Sequence, residues 1–296
     1  MKTKLLLIFT LTCSLFLICG LITESAVRSN TTYHCNDDQV THLLKRINKD
    51  KGTILIAVSY QDLLVYSKTS INKVIDQGVD IVEIEIKLNK DSVLVLTPSK
   101  ENGPVYKHGK IFDLKTNSAE NDIQTLEECM LGIDGNILVC INNYNGDLDI
   151  VERILNKTGT INQVIIKVQE DIDHVSDRYG TVLDRIKCVP VVNAKTPYVK
   201  GFVDDFLIEF NPYAFEVSFN LEDSLKLDII SMVKERGCNL WVESLYHNMN
   251  SQNNNGRNIN DIMKDWDWLI EQGANIIQTD RPELLLEYLR EKGLHD

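Results

Sequence analysis

Short apolar runs rich in β-branched residues recur along this chain, with amphipathic segments at helical spacing between them. Residues 52–57 (GTILIA) and 79–86 (VDIVEIEI) predict the first two strands. Between them, residues 70–77 place Ile71, Val74 and Ile75 on one helical face. Lys90-Asp91-Ser92 predicts a tight turn, and residues 93–96 a short returning strand. Residues 99–122 are polar and irregular, and a short helix starts at 126–131. From there the alternation is regular. Strands are expected at 136–141, 163–168, 186–192, 213–218, 239–242 and 275–278. Helices are expected at 147–156, 171–179, 199–208, 221–236, 262–272 and 284–289. Gly237 and Gly273 are placed to end two of these helices. Asp280 is placed as an N-cap, with Pro282 and Glu283 in the first turn.

Leaving the returning strand aside, this gives eight strands, near residues 53, 79, 136, 163, 187, 213, 239 and 275. Strands alternating with helices imply a parallel sheet. Eight such units in about 250 residues point to an α/β architecture of the closed (β/α)8 TIM-barrel kind, with its active site at the C-terminal strand ends.

Ahead of the barrel stands a different pattern. Two lysines in the first four residues precede an uncharged apolar run, 5–22, and the small residues Ser25-Ala26 follow. That is the order of a secretory signal peptide. The expected organisation is therefore a signal peptide at 1–26, an N-terminal extension at 27–49 and a barrel at 50–296. The protein would be secreted, or membrane-anchored if the leader stays attached. Five cysteines lie beyond residue 26, an odd number without a CxxC spacing. Cys140 and Cys188 sit in or beside apolar runs and are expected to be buried. Asn30 and Asn156 begin glycosylation sequons.

Composition narrows the function. Hydrophobic residues make up 43% and charged residues 25%, an ordinary globular mixture that excludes wholesale disorder. The formal charge is −12, and no basic cluster offers a site for nucleic acid. No GxGxxG follows the first strand and no P-loop is present, so nucleotide chemistry has no support.

The second strand carries the most chemistry. Glu83, Glu85 and Lys87 alternate with Val82, Ile84 and Ile86, so two carboxylates share one strand face near its C-terminal end. Two inward carboxylates repel unless a cation or a proton lies between them. A hard divalent ion such as Mg2+ or Ca2+ suits their oxygens. On spacing alone, the same pattern also fits an amphipathic strand with its charged face in water.

Residues 79–96 (VDIVEIEIKLNKDSVLVL) resemble the second-strand signature of the glycerophosphodiester phosphodiesterase family. Residues 273–296 (GANIIQTDRPELLLEYLREKGLHD) resemble its closing strand and helix start. Segment 156–167 and Leu240-Trp241 are similar as well, and the likeness runs over about residues 50–294. The resemblance implies a (β/α)8 barrel and metal-assisted hydrolysis of glycerophosphodiesters, with a histidine pair moving the protons. It implies Glu83, Glu85 and Asn142 as the metal-side residues, and a glycerophosphodiester or phospholipid headgroup as ligand.

The departures from the family pattern cluster on the reactive set. The His-Arg step at the first strand end is replaced by residues including Val58 and Ser59. The second histidine position falls at Pro98 and its neighbours, and the acidic residue of the fourth strand is replaced around Asn142. General acid–base groups contribute about 10²–10⁴-fold each, so their joint loss implies impaired catalysis. The expectation is a secreted, catalytically impaired barrel that retains cation or phosphodiester binding. One alternative is an active metal-dependent phosphodiesterase with His108 and His247 as a rearranged acid–base pair. The other is a membrane-anchored interaction domain.

Overall fold

The structure is a computed structural model that describes residues 52–59, 68–97, 124–133, 137–142, 144, 146–193, 196, 198–218, 223–244 and 259–296. Its elements in chain order are β1 (Leu55–Ser59), α1 (Lys68–Gln77), β2 (Ile81–Leu88), β3 (Leu94–Thr97), α2 (Leu126–Gly132), β4 (Leu138–Asn142), α3 (Leu148–Thr158), β5 (Val164–Val168), α4 (Ile172–Tyr179), β6 (Lys187–Val192), α5 (Val199–Glu209), β7 (Phe215–Val217), α6 (Asp223–Glu235), β8 (Leu240–Ser244), α7 (Ile259–Glu271), β9 (Ile276–Thr279) and α8 (Pro282–Glu291).

Eight of these strands pair in parallel in the order β1, β2, β4, β5, β6, β7, β8, β9. β1 pairs with both β2 and β9, so the ring closes. This is the (β/α)8 barrel expected from the alternation. β3 is the returning strand and runs antiparallel on β2, with Glu85 opposite Thr97 and Leu88 opposite Leu94.

The strands are buried on both faces, as a parallel sheet wrapped by helices requires. One set of alternate residues fills the barrel interior: Leu55 and Ala57, Ile81, Leu138 and Cys140, Ile165, Val189, Ala214, Trp241 and Ile276. The other set, including Ile56, Val82, Ile84, Val139, Ile166 and Val242, packs in a second core with residues of the helices. Trp266 anchors α7 in that outer core. It is fully buried, donates Nε1–H to Ser244 Oγ at 2.8 Å, and tilts against Tyr288 with ring centroids 5.3 Å apart.

Local chemistry sets the helix ends. Thr125 and Glu128 form a reciprocal capping box on α2, the Glu128 N–H donating to Thr125 Oγ1 at 3.1 Å and the Thr125 N–H to Glu128 Oε2 at 3.0 Å. Asp147 caps α3 by accepting the Asp149 N–H at 2.9 Å. Gly273 follows α7 at φ 91°, a conformation that side chains disfavour. One expected cap moves. α8 starts at Pro282 with Arg281, not Asp280, in the N-cap position. The reason is the preceding turn, in which the Arg281 N–H donates to Thr279 Oγ1 at 3.0 Å.

At the N-terminal end of the barrel, Asp80 Oδ2 accepts the Ile56 N–H at 2.8 Å and lies 3.0 Å from His295 Nε2. This pins the chain's tail beneath β1 and β2. Cys129, Cys140 and Cys188 are free, buried thiols, and burial pushes the Cys129 and Cys188 thiols up to about 12. They behave as small hydrophobes. Cys35 lies outside the described residues. Among those residues, no helix is long and apolar enough to cross a membrane.

Candidate functional site

The interior residues fix what lies above them. Side chains alternate along a strand, so a residue two positions beyond an interior one faces the same lumen. Continuing upward from Ala57, Ile81, Cys140, Ile165, Ala214, Trp241 and Ile276 gives Ser59, Glu83, Asn142, Lys167, Glu216, Glu243 and Gln278. Glu85 follows Glu83 on the same face. The wholly apolar layers thus give way to a polar layer toward the C-terminal strand ends, where barrel enzymes hold their chemistry.

That layer is organised around one ammonium. Lys167 Nζ contacts Glu83 Oε2 and lies 2.5 Å from Glu216 Oε2. It also donates to Gln278 Oε1 at 3.0 Å and sits 4.4 Å from the centre of the Trp241 ring. Trp241 Nε1–H donates to the same Gln278 oxygen at 3.0 Å. The Asn142 amide donates to Glu83 Oε1 at 3.1 Å. Six strands, β2, β4, β5, β7, β8 and β9, therefore contribute to one connected network. The Lys167 side chain is 1% exposed, and those of Glu83 and Glu216 are each 6% exposed. Charges this deep persist only when paired.

The protonation behaviour follows from the packing. Burial pushes the Glu216 carboxyl above its ordinary value, Lys167 pulls it back, and the nearby Glu83 charge pushes it up again. For Lys167, burial is the largest influence and disfavours the ammonium. The carboxylates of Glu216 and Glu83 more than reverse it, and its pKa sits well above the ordinary lysine value. The ammonium is held charged by its partners.

A family described only as a domain of unknown function, DUF4996, matches residues 188–289, from β6 into α8. No curated protein matches the chain. Among solved structures, a glycerophosphoryl diester phosphodiesterase from Parabacteroides distasonis is similar at 18% identity with a TM-score of 0.66. The match covers 86% of this chain and 92% of that one. The chain has the glycerophosphodiester phosphodiesterase fold. The Thermotoga maritima glycerophosphodiester phosphodiesterase is similar at 16% identity and TM-score 0.59, over 79% of this chain and 97% of that one. An Oleispira antarctica phosphodiesterase, solved in complex with the product sn-glycerol-3-phosphate, is similar at 13% identity and TM-score 0.59, over 80% and 97%.

In this barrel, the residues singled out from sequence fall in different places. Glu83, Glu85 and Ser59 are buried in the polar layer, Ser59 beside Glu83 in the β1–β2 register. Asn142 is there too, beside Glu85, with its amide N–H turned to Glu83. Val58 is not in the lumen; it packs in the outer core. Asn156 is exposed near the end of α3, while its sequon partner Thr158 is buried and donates to Ile154 O at 3.0 Å. Asn30, Pro98, His108 and His247 lie outside the described residues.

Sequence reasoning missed Lys167, Glu216 and Gln278. Lys167 and Glu216 are each a lone polar residue in an apolar strand, and that was the available sign. A charge in a strand buried on both faces must have a partner.

Among the described residues, no group of three or more His, Cys, Asp and Glu is placed to hold a metal ion. The donor set itself explains why a divalent ion fits poorly. Both Glu83 oxygens already accept from protein donors. A divalent ion about 4 Å from the ammonium would be repelled by roughly 8 kcal/mol at an effective dielectric near 20.

Proposed function

We propose that this chain is a catalytically impaired barrel of glycerophosphodiester phosphodiesterase type that binds a polar headgroup without hydrolysing it. One observation carries the reading: the buried cation of the strand-end layer, Lys167, is committed to Glu83, Glu216 and Gln278. Two of its N–H donors go to Glu83 and Gln278, and its charge is shared with the Glu216 carboxylate. A cation held in this way by protein oxygens is not placed to stabilise charge developing on a phosphate.

Proton transfer is equally unsupported. The described histidines are His174, exposed on α4 beside Asp171, and His295, against Asp80 at the opposite end of the barrel. Neither reaches the polar layer. Tyr144, after β4, donates to the Asp147 carbonyl at 3.2 Å, and burial raises its pKa.

The ligand class follows from the charge balance. Four carboxylates, Glu83, Glu85, Glu216 and Glu243, lie in the inward register with two lysines, Lys167 and, at the outer end of β2, Lys87. Such a surface favours hydroxyl donors or a cationic group over a bare phosphate. A glycerophosphodiester headgroup would enter with its glycerol hydroxyls or amine end first. The leader pattern of residues 1–26 supports a secretory route for this binding.

The test is hydrolysis of glycerophosphocholine and lysophosphatidylcholine by the purified chain in Mg2+, in Ca2+ and in EDTA. The Thermotoga maritima relative would run alongside. The reading expects no turnover above blank. Metal-dependent turnover lost in Glu83→Gln would refute it and direct attention to His108 and His247.

A further inference from the structure

We infer that Lys167 is the barrel's built-in counter-ion, its ammonium standing between Glu83 and Glu216 where two inward carboxylates would otherwise need a bound divalent cation. The inference goes beyond the proposed absence of hydrolysis and does not depend on it.

The geometry is that of an occupied cation site. Glu83 and Glu216 belong to β2 and β7, which are not neighbours in the barrel. They reach a common atom only because Lys167 projects inward from β5 and offers Nζ to both. Gln278 from β9 supplies a third oxygen, at 3.0 Å. Its amide is oriented by the Trp241 N–H, which donates to the same oxygen. The Trp241 ring, 4.4 Å from Nζ, adds the attraction of a π face for a cation. Two accepting oxygens, a second carboxylate at ion-pair distance and an aromatic face surround the ammonium.

The charge balance makes Lys167 and a divalent ion alternatives. Two carboxylates and one ammonium leave one negative charge. Adding a divalent ion would place two cations within a few ångströms of each other in a nearly dry interior, where they repel strongly. Removing the ammonium leaves two buried carboxylates and an amide oxygen facing a gap the size of the lost group, an oxygen set that suits Mg2+, Mn2+ or Ca2+. A single substitution should therefore convert a closed ion network into a metal site.

Mn2+ binding to the full chain, followed by electron paramagnetic resonance, tests this. The native chain should show no saturable site, and Lys167→Arg should behave like it. Lys167→Met should gain one site, at least about tenfold tighter than any native binding, since ligand charge tunes affinity over decades. Adding Glu83→Gln to Lys167→Met should remove that gain. If Lys167→Met unfolds, its thermal transition should reappear when Mn2+ is added.

Stoichiometric Mn2+ binding by the native chain, lost in Glu83→Gln, would overturn the inference. So would Lys167→Met that neither binds Mn2+ nor is refolded by it. Metal-independent hydrolysis by the native chain would sink the proposed function and leave this inference standing.

Discussion

Replacing Lys167 by methionine keeps a flexible apolar stem and deletes the ammonium, with its charge and its hydrogen bonds to Glu83 and Gln278. In the native barrel this charge and its two partners are almost wholly out of water, at 1% and 6% side-chain exposure. Removing one member of a buried ion pair typically costs about 3–5 kcal/mol, because the remaining charge stays buried without compensation. Here two carboxylates lose their cation at once. Protonation offers partial relief, since burial already raises the Glu216 carboxyl. The expected loss is thus about 3–5 kcal/mol near pH 8 and distinctly less near pH 5, where the stranded carboxyls take up protons. Urea unfolding followed by tryptophan fluorescence at the two pH values measures it. Lys167→Met/Glu83→Gln/Glu216→Gln, with no buried charge in this network, should recover most of the loss. A loss below about 1 kcal/mol near pH 8, the range of an exposed pair, would refute the reasoning.

Three further perturbations have defined outcomes. Glu216→Gln should flatten the pH dependence of stability. The folded carboxyl titrates above its ordinary 4.5, so between that value and its raised one the fold holds more protons than the unfolded chain. Native stability therefore falls as pH rises through this window, and thermal melts of the Gln variant should lack that slope. Trp266→Ala removes a fully buried ring and strands the Ser244 hydroxyl. It should cost about 3–5 kcal/mol in chemical denaturation. Thr125→Ala removes the hydroxyl that accepts the Glu128 N–H in the α2 capping box, leaving the Thr125 N–H bond to Glu128, and should cost about 1 kcal/mol in the same measurement.

Much of the fold was legible because each strand and helix carries its own period. The strand ends moved by a few residues for a definite reason. β1 was expected over 52–57 and lies at Leu55–Ser59, because its ladder to β9 begins at Leu55 opposite Ile276 and its ladder to β2 ends at Ser59 opposite Glu83. Likewise β8 extends to Ser244, which brings Glu243 into the inward register. Such limits depend on neighbours and not on the local pattern.

The site was half legible. The Glu83/Glu85 repeat is visible within one strand, and it raises the question of what neutralises it. For Glu83 the answer lies 84 residues away in sequence, at Lys167. Glu216 and Gln278 join it only when the ring of strands closes. Spacing within a segment carries no information about which residues meet across a lumen. That the compensating cation belongs to the chain itself required the full register of the barrel.

The most direct measurement is a crystal of the native chain grown with MnCl2 and examined at the manganese absorption edge. The account predicts no anomalous peak between Glu83 and Glu216, with the Lys167 ammonium resolved in contact with both carboxylates. A manganese peak bridging those two residues, with Lys167 turned away, would contradict it.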